Sequence, residues 1–99
     1  MSINELQYER NRYYKLRSDL RSINQRLSNS ISEINITIES MNNNYKINDS
    51  LTNTQKLVET KDKLTEMQSN ITNLVLPSVN NKIDLLSADI EVLSSLESE

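Results

Sequence analysis

The sequence predicts an all-α fold, an antiparallel two-helix hairpin whose second helix is kinked near Pro77. Three observations predict it. Apolar residues recur at three- and four-residue steps through both halves of the 99-residue chain, the spacing of a single helical face. One polar break, Asn42-Asn43-Asn44-Tyr45-Lys46-Ile47-Asn48-Asp49-Ser50, parts the two halves. Hydrophobic residues are 35% of the chain, against roughly 45–50% in an average globular domain. That supplies a thin seam between long helices and not a rounded core.

The first helix is expected over 3–43. Ser2 followed by Glu5 forms a capping box, in which each side chain satisfies an open backbone donor at the helix start. From Tyr13 the apolar residues run Leu16, Leu20, Ile23, Leu27, Ile31, Ile34, Ile38 and Met41. This is a heptad pattern with one added four-residue step between Leu27 and Ile31, a stutter that locally unwinds a supercoil. The turn is placed at 44–51. With no glycine in the chain, asparagine is the residue best suited to the left-handed conformation that ends a helix.

The second helix is expected over 52–96, opened by a capping box of Thr52 and Gln55. Leu57, Leu64, Met67, Ile71, Leu74 or Val75, Val79, Ile83, Leu86, Ile90 and Leu93 lie on its stripe. Pro77 stands inside it. Proline lacks the amide donor and its ring meets the preceding turn, so a kink is expected there. The predicted seam sets Leu16, Leu20, Ile23, Leu27, Ile34 and Ile38 against Leu64, Met67, Ile71, Val79, Ile83 and Leu86. The whole chain, 1–99, reads as one such domain.

Composition removes many chemistries. The chain has no Cys, no His and no Gly. Thiolate and disulfide chemistry, the usual neutral-pH base and the commonest metal ligand are therefore excluded. So are glycine-built phosphate loops. No enzyme activity and no cofactor are expected. Glu59, Asp62 and Glu66 share a helical face, yet Lys61 and Lys63 interleave with them, so they read as solvated surface rather than a metal site. The longest apolar run, Leu74-Val75-Leu76, is far short of the roughly 20 residues of a membrane span, and no secretory leader is visible.

Eleven basic against fourteen acidic residues give a net charge of −3. Arg10, Arg17 and Arg21 line one flank of the first helix, and Arg12, Lys15 and Arg26 the other. They are expected to pair with Asp84, Asp89, Glu91, Glu97 and Glu99 across the hairpin rather than to bind nucleic acid. Tyr13 is in phase with the seam, while Tyr14 lies off it and is a candidate partner contact.

Leu85, Val92 and Leu96 fall almost opposite the Ile83–Leu86–Ile90–Leu93 stripe, and Ile36 likewise sits off the stripe of the first helix. A two-helix hairpin cannot bury both faces. Either the tail frays or a helix from another chain covers these residues.

The break Asn44-Tyr45-Lys46-Ile47-Asn48-Asp49-Ser50, the lysine-rich helix after it, and Ile71-Thr72-Asn73-Leu74-Val75-Leu76-Pro77-Ser78-Val79-Asn80-Asn81-Lys82-Ile83 carry a further signal. With the opening Tyr13-Tyr14-Lys15-Leu16, they resemble the WXG100-like small helical proteins encoded beside LXG-type polymorphic toxins of the Gram-positive type VII secretion system. The resemblance implies a non-enzymatic, chaperone-like targeting factor that binds the helical N-terminal domain of such a toxin, together with a second small helical accessory protein. It implies no nucleic acid, no membrane insertion, and a cytoplasmic chain that its partner can carry out of the cell. Ile47-Asn48-Asp49 stands where that family has Trp-x-Gly, and Tyr45-x-x-x-Asp49 is the only match to its export signal. Tyr45, Ile47, Asn48 and Asp49 are thereby the turn motif, and Ile36, Leu85, Val92, Leu96 and Tyr14 the expected partner-binding residues. The alternative is a self-assembling structural coiled coil of a phage or cell-surface apparatus.

Overall fold

A computed structural model of the chain describes residues 1–44 and 48–97, with only the backbone of 44 and of 48–53. The described residues are all helical, without strands: α1 (Ile3–Asn44), α2 (Asn48–Asn70), a five-residue π-helical turn (Ile71–Val75) and α3 (Leu76–Glu97). The rod they form measures 77 × 16 × 14 Å, with a radius of gyration of 21.8 Å, where a compact domain of this length has about 13 Å.

Ser2 and Glu5 meet at the start of α1, where the serine half of the capping box forms and the Glu5 carboxylate takes the Ser2 hydroxyl instead of a backbone amide. The Glu5 amide donates to Ser2 Oγ at 3.2 Å, and the Ser2 hydroxyl donates to Glu5 Oε1 at 3.2 Å. At the other end the boundaries differ from expectation. Helix α1 runs one residue past the expected end, to Asn44, and α2 begins at Asn48 rather than at 52. No described residue has a positive φ, so asparagine does not end α1 in a left-handed conformation within the described residues. Tyr45 and Ile47 lie outside the described residues, and so do the side chains of Asn48 and Asp49, whose backbone is helical.

Four hydrogen bonds between side chains, with a fifth from Gln68 Nε2 to the Asn24 carbonyl (3.3 Å), fix the antiparallel register. Arg10 Nη1 donates to Ser87 Oγ (3.3 Å), Arg17 Nη1 to Asn80 Oδ1 (3.1 Å) and Asn24 Nδ2 to Thr72 Oγ1 (3.0 Å), and Gln68 Nε2 donates to Ser28 Oγ. Moving toward the C-terminus along α1 moves toward the N-terminus along its partner.

The inner face of α1 is an unbroken heptad. Leu6, Tyr13, Leu20, Leu27, Ile34 and Met41 form one buried or half-buried column, and Ile3, Arg10, Arg17, Asn24, Ile31 and Ile38 the other. The expected stutter is absent, because Arg17 and Asn24 occupy the positions assigned to Leu16 and Ile23. Those two are 42% and 43% exposed, and Met67 is also exposed. Hydropathy alone picks the apolar neighbours. An Arg can occupy a seam position because its aliphatic stem packs there while its guanidinium reaches the edge.

Across α2 and α3 the heptad phase slips once. Leu57, Leu64 and Ile71 recur every seven residues, as do Val79, Leu86 and Leu93, but Ile71 to Val79 is eight. The second column, Lys61 and Gln68 before Leu76, Ile83 and Ile90, slips at the same place. In a regular α-helix one extra residue turns everything after it by about 100°. The π turn absorbs that residue. The Leu76 amide reaches back to the Ile71 carbonyl, and Pro77, which has no amide to donate, follows directly. Leu74 and Val75, the expected seam residues here, are exposed, and Leu76 is half-buried instead.

Candidate partner interface

The core is thin. Among the described residues Leu6, Leu27, Val79, Ile83, Leu86 and Ile90 are the buried apolar ones, and none is below 2% exposure. What lies beside this seam differs sharply between its two flanks.

One flank is polar and closed. It carries the register contacts and, on α1, Tyr14. The Tyr14 ring lies between two guanidiniums, 5.7 Å from that of Arg10 and 5.1 Å from that of Arg17. These are the arginines that cross to Ser87 and Asn80, so Tyr14 props the ladder from its own helix. Tyr14→Ala is expected to lower stability by about 1–2 kcal/mol, measured by urea denaturation. A Tyr14 used only for partner contact would leave stability unchanged.

Glu99 lies outside the described residues, and among those described the basic residues do not make the expected ion pairs across the hairpin. Among the described residues the ion pairs lie within α1, Glu9 with Arg12 at 3.0 Å and Lys15 with Asp19 at 2.9 Å. Both are exposed surface pairs of small energetic weight. Arg10 and Arg17 instead meet the neutral Ser87 and Asn80. The reason is register: these guanidiniums face small polar side chains, while Asp84 and Glu91 are exposed further round α3.

The other flank is apolar and open. Leu85, Val92 and Leu96 are 56%, 59% and 61% exposed. They stand about 120° round the α3 axis from the seam, beside it rather than directly behind it. Shallow hollows border them: one is lined by Met1, Leu6, Asp89, Val92 and Leu93 from both helices, and another by Ala88, Glu91, Val92, Ser95 and Leu96. The same flank of α1 presents Leu16, where a third hollow is lined by Glu9, Arg12, Tyr13 and Leu16. Ile23, Met67 and Leu74, all exposed, continue it toward α2. Sequence reasoning placed Leu16, Ile23 and Met67 in the seam and so missed this half of the surface. The signal that finds it is the strict seven-residue column through Leu6, Tyr13, Leu20 and Leu27, which leaves Leu16 and Ile23 outside.

Ile36, 66% exposed, does not join this flank. It faces away from the seam, and lies past Ser28, beside α2, while Leu85–Leu96 lie beside the start of α1. Glu59, Asp62 and Glu66 are exposed, and among the described residues no group of three potential ligands could hold a metal ion. Nor is any described helix long and apolar enough to cross a membrane. No family model, curated protein or solved structure matches this chain.

Proposed function

We propose that the chain is a non-enzymatic, chaperone-like binding partner and targeting factor for the helical N-terminal domain of an LXG-type toxin exported by a type VII secretion system. The hairpin is of the WXG100-like kind, and its second helix bends at the π turn before Pro77. The observation that carries the reading is the open apolar flank at Leu85, Val92 and Leu96 on a hairpin whose own core is thin. Such a flank accepts an amphipathic helix laid along it. The resemblance of Asn44–Ile83 and of Tyr13–Leu16 to toxin-linked accessory proteins supports the identity of that helix. A second small helical accessory completes the bundle. The complex assembles in the cytoplasm, and the chain leaves with its partner.

Each flank side chain contributes on the order of 1.5–3 kcal/mol if fully buried, enough in combination for a micromolar complex. Asp84, Asp89 and Glu91 at the rim set orientation more than affinity. Leu85→Ser, Val92→Ser and Leu96→Ser made together are expected to keep the circular-dichroism helicity and to abolish co-purification with a co-expressed toxin helical domain. Unchanged co-purification by the folded triple variant refutes the reading.

A further inference from the structure

The exposed apolar stripe of α3 continues the inner face of α2. Counted by sevens through a regular α-helix, Leu57, Leu64 and Ile71 lead to Ser78, Leu85 and Val92. Lys61 and Gln68 lead to Val75, Lys82, Asp89 and Leu96. The three exposed large hydrophobic residues of α3, Leu85, Val92 and Leu96, all fall on these two columns. They are the face that α3 would turn to α1 if Ile71–Val75 were α-helical. The buried residues Val79, Ile83, Leu86 and Ile90 face α1 only because the π turn takes up one residue. One helix thus carries two seam faces, about 100° apart.

Two further features fit a choice between these faces. Pro77 directly follows the π turn, and in a regular helix its ring would meet the Asn73 carbonyl. Proline therefore weights the choice toward the observed phase, as does the fuller apolar content of Val79, Ile83, Leu86 and Ile90. On α1, Arg10 Nε is buried without a hydrogen-bond partner among the described residues, and Arg10 Nη1 meets only the neutral Ser87. The alternative phase brings Asp89, now exposed, into the seam within a turn of Arg10. A carboxylate there answers the guanidinium with a charge-assisted bond.

We propose that α3 is a two-phase helix with the π turn as its switch. Straightening Ile71–Val75 into α-helix rotates α3 by about 100° against α1. Leu85, Val92 and Leu96 then enter the seam, and Val79, Ile83, Leu86 and Ile90 turn out toward the flank of the polar ladder. The two arrangements are discrete, because a packed seam accepts one face or the other and nothing between. Each phase opens an apolar surface on one flank and closes it on the other. A helix docked on either flank therefore holds the phase it finds and excludes the opposite site. The switch is a property of the chain alone, and its test reads no partner, so it and the toxin reading can fail separately.

The chain has no cysteine, so introduced thiols report the phase. Tyr13 packs against the cluster that holds Leu86, and in the second phase Leu85 takes that place. Full-length chain with Tyr13→Cys and Leu85→Cys is expected to close an intramolecular disulfide slowly under mild oxidation. Pro77→Ala should speed closure at least about tenfold by relieving the second phase, without making that phase dominant. Deleting Val75 together with Pro77→Ala fixes the observed phase in a regular helix and should slow closure below that of the unaltered helix. Equal rates in all three overturn the proposal. A second measurement fills the alternative face, with Lys82→Leu and Asp89→Leu added to Pro77→Ala. Single thiols at Ile90→Cys and Val92→Cys should then exchange their reactivities, the first labelling at least about tenfold faster than before and the second slower. Self-association would shield Val92→Cys and leave Ile90→Cys protected, so that pattern, or an unchanged order in a helical variant, also overturns it. If circular dichroism shows this variant unfolded, the disulfide rates alone decide.

Discussion

Leu86→Ala is expected to remove about 2–5 kcal/mol, a large share of the hairpin's stability. Leu86 is 6% exposed and packs with Leu6 and Ile90, with Tyr13 and Leu93 against the same cluster. Truncating a buried leucine costs about 2–5 kcal/mol, because the apolar contact is lost and a cavity remains. A small domain has only about 5–15 kcal/mol in total, and among the described residues six apolar side chains are buried. Leu74→Ala is the control. Leu74 is 64% exposed, so a change within about 0.5 kcal/mol is expected. Thermal melts followed by circular dichroism at one fixed concentration compare the two, since any self-association makes the midpoint concentration-dependent. Equal shifts would mean that the seam does not run where Leu86 lies.

The legible and illegible parts of this fold divide along physical lines. Helix, hairpin direction and the Val79–Ile83–Leu86 half of the seam were readable, because apolar side chains there occupy the inner positions and polar ones the outer. The first half of α1 reverses that rule. Arg17 and Asn24 stand inside, and Leu16 and Ile23 at the edge. Long or amide side chains can span a narrow seam and find Asn80 and Thr72 opposite, which no hydropathy scale weighs. The same substitution of polar for apolar, read linearly, produces the false stutter between Leu27 and Ile31. It also hides the flank: counted into the core, Leu16, Ile23 and Met67 could not be seen as surface. Leu85, Val92 and Leu96 were legible because α3 has a full apolar stripe without them. The excess residue before Pro77 was visible only as the ambiguity between Leu74 and Val75. A count of seven through Leu64 and Ile71, and again through Val79 and Leu86, locates it.

That excess residue yields the second large effect. Deleting Val75 alone is expected to destabilise the hairpin, whereas deleting Val75 together with Pro77→Ala is expected to stabilise it. The deletion brings Ile71 and Val79 seven apart, so a regular α-helix can keep both on the seam without a π turn. In that regular helix, however, Pro77 leaves a carbonyl without its donor and its ring meets the Thr72 carbonyl, a burden of about 3 kcal/mol. Pro77→Ala removes the burden and restores the bond. Made alone, Pro77→Ala has little to act on, because the extra residue still demands the wide turn at Ile71–Val75. The two changes are therefore strongly non-additive, with a coupling of about 3 kcal/mol in a urea-denaturation cycle. If Pro77→Ala alone captured the gain and the Val75 deletion disrupted the fold in both backgrounds, proline rather than residue count would set the π turn. Val79, Ile83 and Leu86 would then owe their burial to a local distortion, and not to the phase of the helix that carries them.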